Sequence, residues 1–471
     1  MSQKKSTISR RNFLKVGTLG AGVLGTGLFL GANATKAEAK TYDTIDDLFT
    51  YTDEFEPYDK IRTAFDRAEI LYLDPNFKLQ EGDSKLLFEQ FAGINKNVPF
   101  EYGVTPGYTD PDQALRKGAM AIQHAFGHEA TGANEIFKVD SDGKVIPVGL
   151  HSQTPAGYPN GANKFFEVKE KRYEFDSPED ATYAVKKAMM KYGASLVGIA
   201  PYDERMVYST SVFNPKGDKE KVAEIRNLYA SNAFSFEPKS VIVYAIEMDY
   251  ELYKYSPSLI GGTADSTGYG NAAVTGLRGA RFLRELGYNT RHSVNDVGPN
   301  IPHAIAAGLG EPTRMGLLVS EEFGPRMRLG KIFTDLELVA DKPKTFGVRQ
   351  FCEVCMVCAD ACPSAAINYC KTTDDPDNHP YSICEQGGVE GKWYVDGQKC
   401  LANWNFHVGG MCGICITVCP YNKPQTWNHE LVKMVTLIPG LNSMARYFDH
   451  FFGFGTIATE QEILDFWDRT V

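Results

Sequence analysis

An α/β or α+β domain followed by a cysteine-rich module is the architecture the sequence predicts, on three observations. Helix-type and strand-type patterns alternate from Ser177 to about Asp341, a short Lys342-Pro343-Lys344 junction follows, and all ten cysteines fall between Cys352 and Cys419. Alternation of this kind implies a sheet covered by helices. At 471 residues, 43% of them hydrophobic, the chain can bury a sizeable core in two or three units. A net charge of −10 with no long Lys/Arg run argues against nucleic acid as a partner.

The first 39 residues read as an address. Ser9 to Lys15 spell S-R-R-N-F-L-K, a mildly apolar stretch runs from Val16 to Gly31, and two A-x-A sites follow at Ala32-Asn33-Ala34 and Ala37-Glu38-Ala39. Paired arginines, a weak apolar core and small residues before a cut make a twin-arginine export signal, with cleavage after either site. The alternative, an uncleaved membrane anchor, fits the many glycines and the cut sites less well. No later segment is long and apolar enough to span a bilayer, so membrane attachment would need a partner.

Residues 40–170 are irregular and aromatic, with Gly/Pro-rich pieces such as Tyr102 to Tyr108, and suggest a cover over a substrate or cofactor. The pattern then sharpens. Ser177-Pro178-Glu179-Asp180 supplies an N-cap, a proline at the first helical position and acids in the first turn, and Gly193 supplies the stop. Leu196 to Ala200 and Val241 to Ile246 are β-branched apolar runs expected to be buried strands. Ser256 to Thr267 reads as a loop, Asn271 to Leu286 as a helix stopped by Gly287, and Tyr288 to Val294 as extended chain.

The cysteines carry the strongest signal. Cys352, Cys355, Cys358 and Cys362 form C-x2-C-x2-C-x3-C followed by Pro363, the bacterial ferredoxin run. Cys400, Cys412, Cys415 and Cys419, followed by Pro420, keep the C-x2-C-x3-C-P end but open the first spacing to eleven residues. In this arrangement the fourth thiolate of each run ligates the other cluster. One [4Fe–4S] cluster then takes Cys352, Cys355, Cys358 and Cys419, and the second takes Cys362, Cys400, Cys412 and Cys415. Zinc and disulfides are the alternatives, and the C-P spacings favour neither. Cys370 and Cys384 fall outside the pattern. Two such clusters form an electron wire, and the preceding domain must hold the acceptor.

Weaker patterns point elsewhere and carry less. Gly268-Tyr269-Gly270-Asn271-Ala272-Ala273 matches G-x-G-x-x-A without the preceding strand that a dinucleotide fingerprint needs. His124 and His128 stand at i, i+4 without a third ligand. His407-Val408-Gly409-Gly410 has the H-x-x-G of cobalt-binding histidine motifs, but Asn405 stands where Asp is required, and D-x-H-x-x-G occurs nowhere.

Together with the export signal and the cysteine runs, four segments carry a family resemblance: L-G-Y-N-T-R (Leu286 to Arg291), A-G-L-G-E-P-T-R-M-G (Ala307 to Gly316), E-F-G-P-R-M-R-L (Glu322 to Leu329) and T-D-L-E-L (Thr334 to Leu338). The chain resembles the respiratory reductive dehalogenases, densely from about Tyr269 to Pro420 and thinly before Arg172. The resemblance implies a nitroreductase-like corrinoid-binding domain over residues 171–345, a ferredoxin-like domain with the two clusters over 346–430, and a C-terminal extension over 431–471. It implies a corrinoid bound base-off, in keeping with the missing histidine motif, and replacement of halogen by hydrogen on a small organohalide. The family's Tyr, Asn and Arg above the cobalt fall on Tyr269, Asn295 and Arg328, with Arg326 the alternative to Arg328. The tyrosine would supply the proton and the arginine would favour the phenolate left behind. Expected partners are a small integral-membrane anchor protein and an upstream respiratory electron donor, on the outer face of the cytoplasmic membrane. An epoxyqueuosine-reductase-like enzyme and an exported electron-transfer subunit without catalysis are the rival readings; the first acts on tRNA in the cytoplasm, which an exported acidic chain fits badly.

The cysteine assignment predicts about eight irons per chain in anaerobically purified protein. Replacing Cys400 by Ser should remove one cluster and spare the other; if Cys400→Ser kept both while Cys384→Ser lost one, the assignment across the long loop would be wrong.

Overall fold

The computed structural model describes residues 40–53, 55–57, 64, 99–121, 135–139, 145–150, 168–208, 234, 236–295, 297–372, 387–424 and 454–468. The export signal, His124, His128, Cys384 and residues 431–453 lie outside the described residues.

Helix α1 (Asp110–Ala119) starts at Thr109, whose backbone N–H donates to Asp112 while its side chain faces the same carboxylate, a capping box. Helix α2 (Pro178–Tyr192) has the predicted ends: Ser177 Oγ accepts from the Asp180 N–H at 3.1 Å, and Gly193 closes it in the left-handed conformation at φ +114°. Strands β1 (Leu196–Pro201) and β2 (Ser240–Glu247) sit on the predicted apolar runs.

Helix α3 (Leu259–Glu285) corrects the expected loop over Ser256 to Thr267, since 27 continuous residues are helical from Leu259 onward. The glycines that suggested a loop serve close packing instead. A Cβ on Gly276 would lie 1.9 Å from His292 Nε2, and one on Gly268 would lie 2.9 Å from Met248 Cγ and 3.3 Å from Arg328 Cβ. The helix therefore lies directly against the sheet.

Strand β3 (Thr290–Ser293) is shorter than the predicted extended segment, and helix α4 (Asn300–Ala306) follows it. Strand β4 (Met327–Thr334), which the sequence reading did not predict, runs through the middle of the sheet, in the order β1-β2-β4-β3. Every neighbouring pair is antiparallel, which settles the α/β or α+β alternative in favour of α+β. The alternation of side chains divides the core. Val241, Val243, Ala245, Leu329 and Phe333 pack with α4 on one face; Ile242, Tyr244, Ile246 and Ile332 pack with α2 and α3 on the other.

The cysteine-rich part is built from short helices: α5 (Val348–Cys355), α6 (Val357–Ala361), α7 (Gly397–Asn403) and α8 (Ile414–Thr417). Two buried side chains from one segment tie it to the sheet domain. The Glu311 carboxylate accepts from the backbone N–H groups of Phe346, Val348 and Arg349, the entry to α5. Arg314 donates to the Cys352 carbonyl at 2.9 Å and to the Asn368 carbonyl at 3.0 Å. An acid at a helix N-terminus satisfies orphan donors and complements the dipole, although burial raises the Glu311 pKa against the pull of those amides.

Two fully buried histidines flank the sheet. Tyr244 Oη donates to the Ala272 carbonyl at 2.8 Å and so accepts from His292 Nε2–H at 2.6 Å. His303 Nδ1 donates to the Pro299 carbonyl at 2.8 Å. Burial, reinforced by nearby Lys331, lowers both imidazoles to about 3 from an ordinary 6.5. The unfolded chain therefore binds two protons below pH 6.5 that the folded chain refuses, so stability present above pH 6.5 is lost as pH falls. The unfolding free energy from denaturant titrations should decline from pH 6.5 downward by as much as about 1.4 kcal/mol per pH unit for each histidine. In His303→Leu the slope should shrink; an unchanged slope would remove this histidine as a cause. Glu311→Gln should destabilise the chain by about 1–3 kcal/mol by leaving a buried amide donor unpaired, and a thermal midpoint equal to the parent's would refute the proposed tie.

Candidate active site and cysteine quartets

Tyr269, Asn295 and Arg328, which lie on three separate elements, meet at one place. Tyr269 sits midway along α3, Arg328 is the second residue of β4, and Asn295 lies just beyond β3. The Arg328 guanidinium carbon stands 3.8 Å from the centre of the Tyr269 ring, a stacked cation–π geometry. Asp265, one turn before Tyr269 on the same face of α3, forms an ion pair with Arg328. It also accepts from Tyr253 Oη at 2.8 Å. Burial, reinforced by the Asp265 charge, pushes the Tyr253 phenol well above its ordinary range, so it remains a neutral donor. Burial works against the charge on Arg328, but Tyr269, Asp265 and Tyr253 outweigh it and raise its pKa. Asn295 Nδ2 donates to Tyr269 Oη at 3.1 Å. The phenol oxygen thus receives an amide N–H while its ring rests on a cation.

Arg326 has a different place. It is 1% exposed, pairs with Glu247 at 2.6 Å and donates to Asn422 Oδ1 at 3.1 Å. It joins the sheet to the cysteine-rich part. The G-Y-G segment is helix, not a phosphate-binding turn, and His407 lies in a π-helical stretch, Trp404–Val408.

The eight patterned cysteines gather in the cysteine-rich part. Cys352, Cys355, Cys358 and Cys419 line one small cavity beside Arg314 and Phe351. Cys400 lies near Cys412 and Cys362, and Cys415 lies near Cys400, Cys412 and Cys362 but also near Cys358 of the other group. Burial, with the neighbouring thiols adding to it, pushes Cys358 and Cys400 up to about 12 and Cys412 to about 11. Cys352, Cys415 and Cys419 rise for the same reason. Sulfurs so placed ionise only with cations among them, which the irons of a cluster supply. Among the described residues no three His, Cys, Asp or Glu side chains close on a single-ion position. Cys370 donates to Asn368 Oδ1 at 2.6 Å, and its carbonyl accepts from Arg314, a structural setting.

A cavity of about 260 Å³ opens between the sheet domain, the N-terminal region and the cysteine-rich part. Tyr208 and Ile301, Tyr51 and Phe55, and Trp393 are its respective walls. None of Tyr269, Asn295 and Arg328 lines this cavity, which lies against the α4 face of the sheet. Exposed Asn295 leaves an open polar edge beside Tyr269, while exposed Thr267 and Asn271 emerge on the opposite face of α3.

Asp265, Tyr253, Asn300 and Lys331 escaped the sequence reading. The i−4 spacing of Asp265 from Tyr269 was the one available signal; the others become neighbours only through the sheet. Among the described residues no helix is long and apolar enough to cross a membrane.

No protein-family model matches the chain. It is 36% identical over 409 residues to a tetrachloroethene reductive dehalogenase of Desulfitobacterium hafniense, covering 77% of this chain and 73% of the relative. To the tetrachloroethene reductive dehalogenase of Sulfurospirillum multivorans it is 29% identical over 509 residues, covering 100% of this chain and 95% of that one. Among solved structures, the catabolic reductive dehalogenase NpRdhA shares the fold at a TM-score of 0.57 and 20% identity over 88% of this chain. The chain spans about half the length of that protein, 49%. Identity of 36% over 77% of this chain and 73% of the relative places the chain in the reductive dehalogenase family of oxidoreductases.

Proposed function

We propose that the protein replaces a halogen of a small organohalide by hydrogen, with a corrinoid held near Tyr269 and two [4Fe–4S] clusters on the cysteine quartets. The observation that carries this reading is the convergence of Tyr269, Asn295 and Arg328 from three separate elements. The sheet domain takes the nitroreductase-like, corrinoid-binding part and the cysteine-rich region the ferredoxin-like part. When bound, the corrinoid supplies low-potential cobalt chemistry at the carbon–halogen bond and the clusters supply electrons one at a time. The net change consumes two electrons and one proton, forms a C–H bond and releases halide.

The chain's own residues manage the proton. Tyr269 donates it to carbon from the open edge of the site, and Arg328, held by Asp265, steadies the phenolate that remains. Asn295 holds the phenol oxygen in place. The absence of D-x-H-x-x-G supports a base-off corrinoid, and the S-R-R-N-F-L-K segment supports export to the outer face of the cytoplasmic membrane, held there by a small integral-membrane partner and fed by a respiratory donor.

A panel of organohalides, led by the chlorinated ethenes that the named relatives act on and extended to haloalkanes and haloaromatics, tests the activity with reduced viologen as donor. Tyr269→Phe should lower turnover by roughly 10²–10⁴-fold with iron and corrinoid content unchanged in the same sample, and the Co(II) spectrum should show no histidine nitrogen on cobalt. Near-parental dehalogenation by a fully loaded Tyr269→Phe protein would eliminate Tyr269 as the acid.

A further inference from the structure

Behind the Tyr269 phenol lies a chain of polar contacts that the reaction as described does not use. Lys331, on β4, is 0% exposed. Its ammonium donates to the Val294 carbonyl at 3.1 Å, the Gly298 carbonyl at 2.7 Å and Asn300 Oδ1 at 2.7 Å. Asn300 Nδ2 donates to Asn295 Oδ1 at 2.9 Å, and Asn295 Nδ2 donates to Tyr269 Oη at 3.1 Å.

An isolated asparagine amide can turn end for end, because its oxygen and nitrogen are nearly alike in shape. This pair cannot do so freely. An ammonium has three donors and no acceptor, so Asn300 must present its oxygen to Lys331. That leaves Asn300 Nδ2 facing Asn295, which must then present Oδ1. Asn295 Nδ2 is left facing the phenol, whose oxygen is obliged to accept. The polarity of the whole series is set at one buried cation.

We propose that Lys331 and Asn300 are positioning residues that fix the direction of this hydrogen-bond series, so that Tyr269 accepts from Asn295 and its hydroxyl proton is left for the substrate. This rests on the reading of Tyr269 as the proton donor. Were the series reversed, Tyr269 would spend its proton on Asn295 Oδ1, and transfer to carbon would first require breaking that bond. The groups around the series hold their charge states: His292 and His303 beside Lys331 are neutral by burial, and Arg328, against the Tyr269 ring, is paired with Asp265. The series also crosses the sheet. Lys331 belongs to the face covered by α4 and Tyr269 to the face covered by α3, and the loop after the edge strand β3 carries Asn295 round that edge.

Asn300→Asp reverses the series with little change of shape. The new carboxylate still accepts from Lys331 but cannot donate to Asn295, which must turn its Nδ2 toward the carboxylate and its Oδ1 toward Tyr269. Ultraviolet resonance Raman of the holoenzyme, as a difference against Tyr269→Phe, reports through the tyrosine doublet whether this phenol accepts or donates. The parent should show an acceptor and Asn300→Asp a donor, with turnover falling about tenfold or more, KM little altered and cofactor content kept. Lys331→Met, which frees Asn300 to turn, should give a doublet between the two, and supplies the answer if the aspartate variant does not fold. A doublet unchanged in the folded variant overturns the inference, whatever the activity. If the doublet reverses while Tyr269→Phe retains turnover, the polarity stands and the assignment of Tyr269 as acid falls.

Discussion

A charge taken out of water must find partners or it destabilises the fold, and a single stretch around β4 withdraws three cations from solvent. Arg326, Arg328 and Lys331 lie within six residues, and each is paired in a different direction. Arg326 reaches Glu247 and Asn422 and so binds the sheet to the cysteine-rich part. Arg328 reaches Asp265 on α3 and lies against Tyr269. Lys331 reaches the loop after β3 and the first residue of α4. The requirement to compensate these charges places the helix, the loop and the second module around one strand, and the site is where their partners meet.

The same logic operates at the junction of the two modules. Glu311 and Arg314, three residues apart, present an anion to the amides at the start of α5 and a cation to carbonyls that include that of Cys352. Opposite charges thus hold the backbone of the first cysteine run from both sides. In the proposed assignment these contacts hold the backbone of the ligand set, and a ligand set is only as precise as the groups that hold its backbone. The quartets themselves are poor thiolate sites until cations occupy them, because burial and mutual repulsion both favour the protonated thiol.

Glycine governs how closely α3 approaches the sheet. Gly268 and Gly276 bring the helix to distances at which a methyl group would strike Met248 and His292. That approach sets Tyr269 against Arg328. Helix α3 is thus read poorly by local propensity, which counts each glycine against it, and correctly only when packing is included. The polar residues of β4 mislead in the same way, since Arg328, Gly330 and Lys331 interrupt the apolar run by which a central strand is usually recognised.

The sequence by itself determined what is encoded over short spacings: the two cysteine runs, helix α2 with its cap and stop, and the apolar strands β1 and β2. These features depend on neighbours a few residues away, and local geometry enforces them. Motif resemblance also reached Tyr269, Asn295 and Arg328 as a set, but could not separate Arg328 from Arg326 by any property of the residues. The tertiary structure gives one arginine to Glu247 and Asn422 and the other to Asp265 and a tyrosine ring. It alone also decided that the sheet is antiparallel, that Asp265 and Lys331 stand behind the site, and which way the amides of Asn295 and Asn300 face. Those outcomes depend on which charges are brought together from distant parts of the chain, a quantity no local pattern records.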